Sequence, residues 1–335
     1  MASEPVRPGS TAIPAVDGFP LQAHVWAHEA EEGGPLAPVV TINPATSVQC
    51  RYYSRFAEFL HVHGFTVITY DYRGIGGSRP KSLRGFEASW LDWGSKDFEG
   101  VLRFAAARFE GHPIQVAAHS VGGFLVGMAP SNHLIERVFT MGAQFAHWRD
   151  YAKHKRFAMY VRWHLVMPAL TAIFGYFPGK RLGWLEDTPR GVVRDWISPH
   201  PRFEDFYRTG PQALTEEERR QLVDSFAKLR GPTLAVSMAD DGFGTIPAIH
   251  RLLSYYKNSP SIHLRIEPGA LRQKAIGHFA FFNARYADSL WRIPLAWLRD
   301  GTLTDEVPGQ VVTPGRSVLA STILDHLSGG SHGDL

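Results

Sequence analysis

Short apolar runs that alternate with helix-length segments are the feature that most constrains this chain. APVVTINPA is a buried strand, YYSRFAEFLHVHG spaces its apolar residues for a helix that stops at Gly64, and FTVITYDYRG is a second buried strand. Strand, helix and strand in succession make a parallel crossover unit. The rhythm then repeats. SWLDWGSKDFEGVLRFAAARF reads as a helix, IQVAAHS as a strand, VGGFLVGMAP as a helix and RVFTMGAQF as a strand. This predicts an α/β fold with a doubly wound, mostly parallel sheet. Before it, STAIPAVDGFPLQAHVWAHE alternates apolar and polar residues about Asp17-Gly18, as an antiparallel hairpin does.

The rhythm breaks from about residue 147 to 215, where the chain is rich in aromatics, and resumes with PTLAVSMADDG, PAIHRLLSYY, SIHLRIEP and SLWRIPLAWLRD. The expected organisation is therefore a core of residues 10–146 and 216–300, with 147–215 inserted as a helical cap over the sheet. Residues 301–335, rich in Gly, Ser and Thr, are expected to form a mobile tail. No internal repeat is present.

Chemistry concentrates at the junction IQVAAHSVGGFL. A serine nucleophile on such a sheet sits on a tight turn between strand and helix, flanked by tiny residues, usually as G-x-S-x-G. Here the segment is Ala118-His119-Ser120-Val121-Gly122, with Ala in place of the first Gly. A serine that merely caps the next helix would look much the same locally. Later segments separate the two readings. In chains with this turn an acid and then a histidine follow the serine. Asp240-Asp241-Gly242 follows one late strand and Gly277-His278-Phe279 another, at the strand ends where open sheets place ligands. Ser120 as nucleophile, His278 as base and Asp241 as orienting acid form the expected set, with Asp240 as the alternative acid. Oxyanion donors are expected from the Val121 N–H and from the Asn43-Pro44-Ala45-Thr46 loop. Pro44 has no N–H, so Ala45 is the expected second donor, with Asn43 or Thr46 able to assist through a side chain.

Other features carry less. Gly74-Ile75-Gly76-Gly77 lacks the dinucleotide spacing and reads as a shaping loop, so no cofactor is expected. His61 and His63 have no ligand-type partner at metal spacing, so no metal is expected. A formal charge of +3 with mixed signs along the chain argues against nucleic acid. The apolar run from Tyr160 is interrupted by Arg162, His164 and Pro168, which argues against a membrane span. One cysteine, Cys50, and an N-terminus without an apolar signal core suit the cytoplasm. The oligomeric state is not legible.

Several separated segments, RYY at 51–53, TYDYRGIGGS, AHSVGG, GYFPGKRLG, ADDG and IGHFAFF, together resemble the α/β-hydrolases related to the serine aminopeptidase S33 group over about residues 10 to 300. The resemblance implies an α/β-hydrolase fold with a helical cap and a Ser120, Asp241, His278 triad. The chain departs from that pattern at Ala118, Ala280 and Asn283, the last two beside His278. The expected activity is hydrolysis of a carboxylic ester of a small, partly apolar or aromatic substrate through an acyl-enzyme. The alternatives are an acyltransferase or peptidase-like enzyme using the same residues, and a ligand-binding protein without catalysis.

Overall fold

A computed structural model describes residues 8–28, 36–303, 308–313 and 316–319. Their centre is one sheet of ten strands in the order β1-β2-β4-β3-β5-β6-β7-β8-β9-β10. The strands are β1 (Gly9–Pro14), β2 (Pro20–Trp26), β3 (Val39–Asn43), β4 (Thr66–Tyr70), β5 (Ile114–His119), β6 (Ile135–Met141), β7 (Thr233–Met238), β8 (Ser261–Ile266), β9 (Gln310–Thr313) and β10 (Arg316–Leu319). The run from β4 to β8 is parallel, and antiparallel hairpins close both edges. β3, β4 and β5 are buried throughout, as expected of strands covered on both faces.

Helices cover both faces. On one side Trp90, Trp93, Phe124 and Phe226 pack in a single apolar cluster. On the other, Phe56, Phe281, Trp291 and Trp297 pack against β3, β5 and β7. From β3 the chain passes to β4 on one side, and from β5 to β6 on the other. The order therefore reverses between β3 and β5, and the crevice above their carboxyl ends is where such sheets bind ligands.

Two features differ from expectation. The tail is not wholly irregular: β9 pairs antiparallel with β8, and β10 with β9, so residues 310–313 and 316–319 extend the sheet. The β-branched residues of QVVT outweigh the Gly and Ser content around them. Residues 304–307, 314–315 and 320–335 lie outside the described part. The second feature is the apolar run near Tyr160. It belongs to a continuous helix, Arg156–Phe174, which is long and apolar enough to cross a membrane by length and composition. Pro168 does not break it, because residues 161–166 form a wider π turn with the Met167 N–H reaching the Arg162 carbonyl. In the fold one side of this helix is packed, with Trp163, Met167 and Thr171 buried.

Candidate active site

β5 runs straight into the turn at Ser120, whose φ of 53° and ψ of −123° lie outside the regions ordinary side chains favour. Such a conformation costs on the order of 1–3 kcal/mol and persists only where the surroundings impose it. They do so here. The Ser120 N–H donates to the Met141 carbonyl at 2.9 Å, and the helix Val121–Met128 leaves directly from the turn. The helix must pass close to the β3 loop, since a Cβ at Gly122 would lie 2.4 Å from the Asn43 carbonyl oxygen. Strand, strained serine and tight packing against small residues thus belong to one device that lifts Oγ toward the crevice. The Ser120 side chain does not cap the helix it precedes.

Asp241 and His278 meet above the neighbouring strands, with Asp241 Oδ2 2.7 Å from His278 Nδ1. The other carboxylate oxygen accepts the Phe243 N–H at 2.7 Å. Burial pushes the Asp241 carboxyl up, but His278 and these hydrogen bonds outweigh it and hold the group below its ordinary value. Room for the pair is made by Gly142, whose φ is +60° and where a Cβ would sit about 3 Å from both partners. Asp240 does different work. Its two oxygens accept the Ile276 and Gly277 N–H groups at 2.9 and 3.0 Å and so fasten the loop that carries His278. Geometry therefore favours Asp241 over Asp240 as the histidine's partner. Ser120 and His278 line the same cavity, yet the Ser120 Oγ is paired with Gln144 Nε2 at 3.4 Å rather than with His278.

The expected second oxyanion donor needs correction. The Ala45 N–H donates to Tyr53 Oη at 2.9 Å and is not free. Tyr53 Oη lies 2.8 Å from His119 Nδ1, and His119 Nε2 lies 2.8 Å from the His278 carbonyl oxygen. Burial holds His119 well below the ordinary histidine value, so its ring is neutral. A carbonyl can only accept, which puts the proton on Nε2 and leaves Nδ1 to accept from Tyr53. The result is a chain in which each donor has one acceptor, from Ala45 through Tyr53 and His119 to the backbone of His278. The Asn43 side chain is also occupied, accepting from Tyr70 Oη at 3.0 Å and donating to the Gly122 carbonyl at 3.4 Å. Thr46 lines the cavity, and its N–H has no partner among the described residues. Val121, the first residue of its helix, has no intrahelical acceptor for its N–H.

The cavity above Ser120 has a volume of about 550 Å3, and Trp90, Trp163, Trp184, Trp196, Phe243 and Phe279 supply aromatic surface to its wall. Trp163 stacks on Trp196 with centroids 5.0 Å apart, Trp184 meets Trp163 edge-on at 5.7 Å, and Phe243 lies 5.1 Å from the His278 ring. Lys155 and Arg162 bring positive charge to its lining. Among the described residues no group of three or more His, Cys, Asp or Glu is placed to hold a metal ion. The Gly74–Gly77 loop shapes the chain locally, with the Gly77 N–H donating to Asp71 Oδ2 at 2.8 Å. Sequence reasoning did not single out Tyr53, His119 or Gln144 for a role at the site. Tyr53 and His119 stand inside segments that carried the resemblance, but only the fold brings them together.

A strained serine at a strand-to-helix turn, facing a buried Asp-His pair at the switch point of a mostly parallel sheet, defines the α/β-hydrolases. Solved structures agree on the fold. An esterase domain from Rhodothermus marinus superposes with a TM-score of 0.52 at 18% identity, over 88% of this chain and 98% of that one. A soluble variant of monoglyceride lipase from Saccharomyces cerevisiae, solved with a substrate analogue, gives 0.59 at 13% identity over 91% and 98%. A puromycin-hydrolysing peptidase from Mycobacterium tuberculosis gives 0.52 at 16% identity, over 89% of this chain and 41% of that one. No curated protein sequence matches the chain. The family model of serine aminopeptidase S33 matches residues 36–228, more than half of the 335 residues, and the protein belongs to that family. That family is one of hydrolases.

Proposed function

We propose that the protein is a serine hydrolase that cleaves a carboxylic ester of a small, partly apolar or aromatic substrate through an acyl-enzyme. The observation that carries this reading is Ser120 held in its strained turn beneath a cavity that also receives the Asp241-paired His278. His278 removes the Ser120 proton as Oγ attacks the carbonyl carbon, and Asp241 stabilises the imidazolium that forms. The Ser120 and His278 contact closes when substrate displaces the Gln144 amide, since catalytic hydrogen bonds often tighten only in the complex. The Val121 N–H and the unpaired Thr46 N–H hold the oxyanion. The tetrahedral intermediate collapses as its bond to the alkoxy group breaks and the His278 imidazolium gives its proton to the departing alcohol. Water then attacks the acyl-enzyme with His278 as the base, which returns the proton to Ser120 Oγ as the acid leaves. The inserted segment acts as a cap that supplies the aromatic walls.

An ester suits the cavity better than the free amino terminus of a peptide. Binding an ammonium group calls for an available anion, but the exposed charges lining the cavity are Lys155 and Arg162. The Asp240 carboxylate beside them already accepts two backbone N–H groups. The test is turnover of p-nitrophenyl esters of increasing acyl length, followed by aromatic esters. Ser120→Ala is expected to lower kcat by on the order of 10⁴ or more. Comparable turnover in the variant sinks the proposal, and acyl transfer to added alcohols in preference to water redirects it to an acyltransferase.

A further inference from the structure

The helix Arg156–Phe174 has two unlike sides. Its inner side supplies Trp163, Met167 and Thr171 to the packed interior. Its outer side is almost wholly apolar where a surface helix would be polar: Phe157 is 81% exposed, Leu165 52% and Ile173 70%. Val166 and the alanines at 158, 169 and 172 complete the same exposed face, and only 17% of the helix's most apolar window is buried. At about 1.5 Å per residue the helix runs about 28 Å, so this is a continuous stripe rather than a scatter of single side chains.

Charge surrounds the stripe with one sign. Lys153, Lys155, Arg156, Arg162, Lys180 and Arg181 lie between Asp150 and Glu186, and no Asp or Glu does. Of the nearby acids, Asp150 is engaged by Arg251 and Asp187 by Arg79, while the Glu186 carboxylate forms no ion pair among the described residues. None of those cations forms an ion pair among the described residues. Where their side chains have partners, these are backbone carbonyls, as for Lys155 and Arg156, or aromatic rings, as for Arg162 and Arg181.

We propose that the outer face of Arg156–Phe174 docks on an anionic lipid bilayer, entering it at headgroup depth without crossing. An apolar face bordered by unpaired cations is the pattern of an interfacial helix. Crossing would strip Trp163 and Met167 from the interior they fill and carry Arg162 into hydrocarbon. A second copy of the chain fits poorly, because a two-fold contact on this face brings the same cations against one another with no acid in the segment to answer them. Ala158 and Arg162 are exposed and also line the cavity, so docking brings the cavity mouth to the lipid. The docking itself does not depend on the ester reading.

The test is flotation of the full-length protein with vesicles of phosphatidylcholine alone and of phosphatidylcholine mixed with phosphatidylglycerol. The expected result is co-flotation with the mixed vesicles, weakened by added salt and at least about tenfold lower on the neutral ones. Combining Phe157→Glu with Ile173→Glu is expected to reduce binding by a further factor of about ten or more. Both side chains are solvent-facing and outside the cavity, so turnover of a soluble ester and the circular dichroism spectrum stay unchanged. Three outcomes overturn the proposal: no binding to the mixed vesicles, equal binding to both, or binding unaffected by the double substitution. So does a dimer seen by light scattering that the substitutions dissolve, since a second copy then covers the face.

Discussion

Ser120 and Tyr53 show how differently two site residues declare themselves. Ser120 stands in a local pattern tied to a chain order, and both could be read along the sequence. Tyr53 acts only through contacts to Ala45 and His119, and neither contact has a signature in spacing. Its hydroxyl is the middle member of a buried relay. Tyr53→Phe leaves both the Ala45 N–H and His119 Nδ1 without partners, so unfolding free energy from urea titration is expected to fall by about 1–3 kcal/mol. Unchanged stability, with Ala45 and His119 still ordered, would mean the relay contributes nothing. The same contact explains why reasoning from the absent Pro44 N–H stopped one residue short. It eliminated the prolyl nitrogen correctly but had no means of seeing that Ala45 was already engaged, which leaves Thr46 as the free donor.

Among the elements, those with strong periodicity were legible and those defined by pairing were not. The strand-helix alternation from β3 to β6 followed from apolar spacing, because each of those strands is buried on both faces. β9 was hidden by its neighbours' composition, since Gly and Ser dominate the last residues while the strand itself spans only Gln310–Thr313. Val311 nonetheless belongs to the core beside Leu264. Val311→Ala is therefore expected to cost about 1–3 kcal/mol, read from the shift of the urea midpoint. A change within about 0.5 kcal/mol is what a mobile tail gives, and it would contradict the strand. The helix Arg156–Phe174 was obscured for the opposite reason. Arg162, His164 and Pro168 read as interruptions of the apolar run, and the π turn before Pro168 accommodates it within one helix.

For the whole molecule, buried ionisable groups set the response to acid. Burial, with His250 and Arg265 nearby, lowers the His263 value from 6.5 to about 3. His263 thus stays neutral in the fold while the unfolded chain takes up a proton. It favours folding above pH 6.5, and that advantage is lost as pH falls toward 3, with a slope of up to about 1.4 kcal/mol per pH unit. Asp97 and Asp195, pushed up to about 7 by burial, act in the opposite direction over an overlapping window. The clean observable is therefore a difference. Stability of the wild type minus that of His263→Gln is expected to shrink as pH falls from 6.5, and a pH-independent difference would refute the buried neutral histidine.

At this scale too the fold brings Ser120, Asp241 and His278 together from three strand ends, and the proposed function makes the Ser120 hydroxyl the reactive oxygen. Reaction with a fluorophosphonate probe tests this most directly. The native protein is expected to take up one probe, located by mass spectrometry on the peptide containing Ser120, and Ser120→Ala is expected to take up none. A native protein left unlabelled, or labelled on another residue, would contradict the assignment.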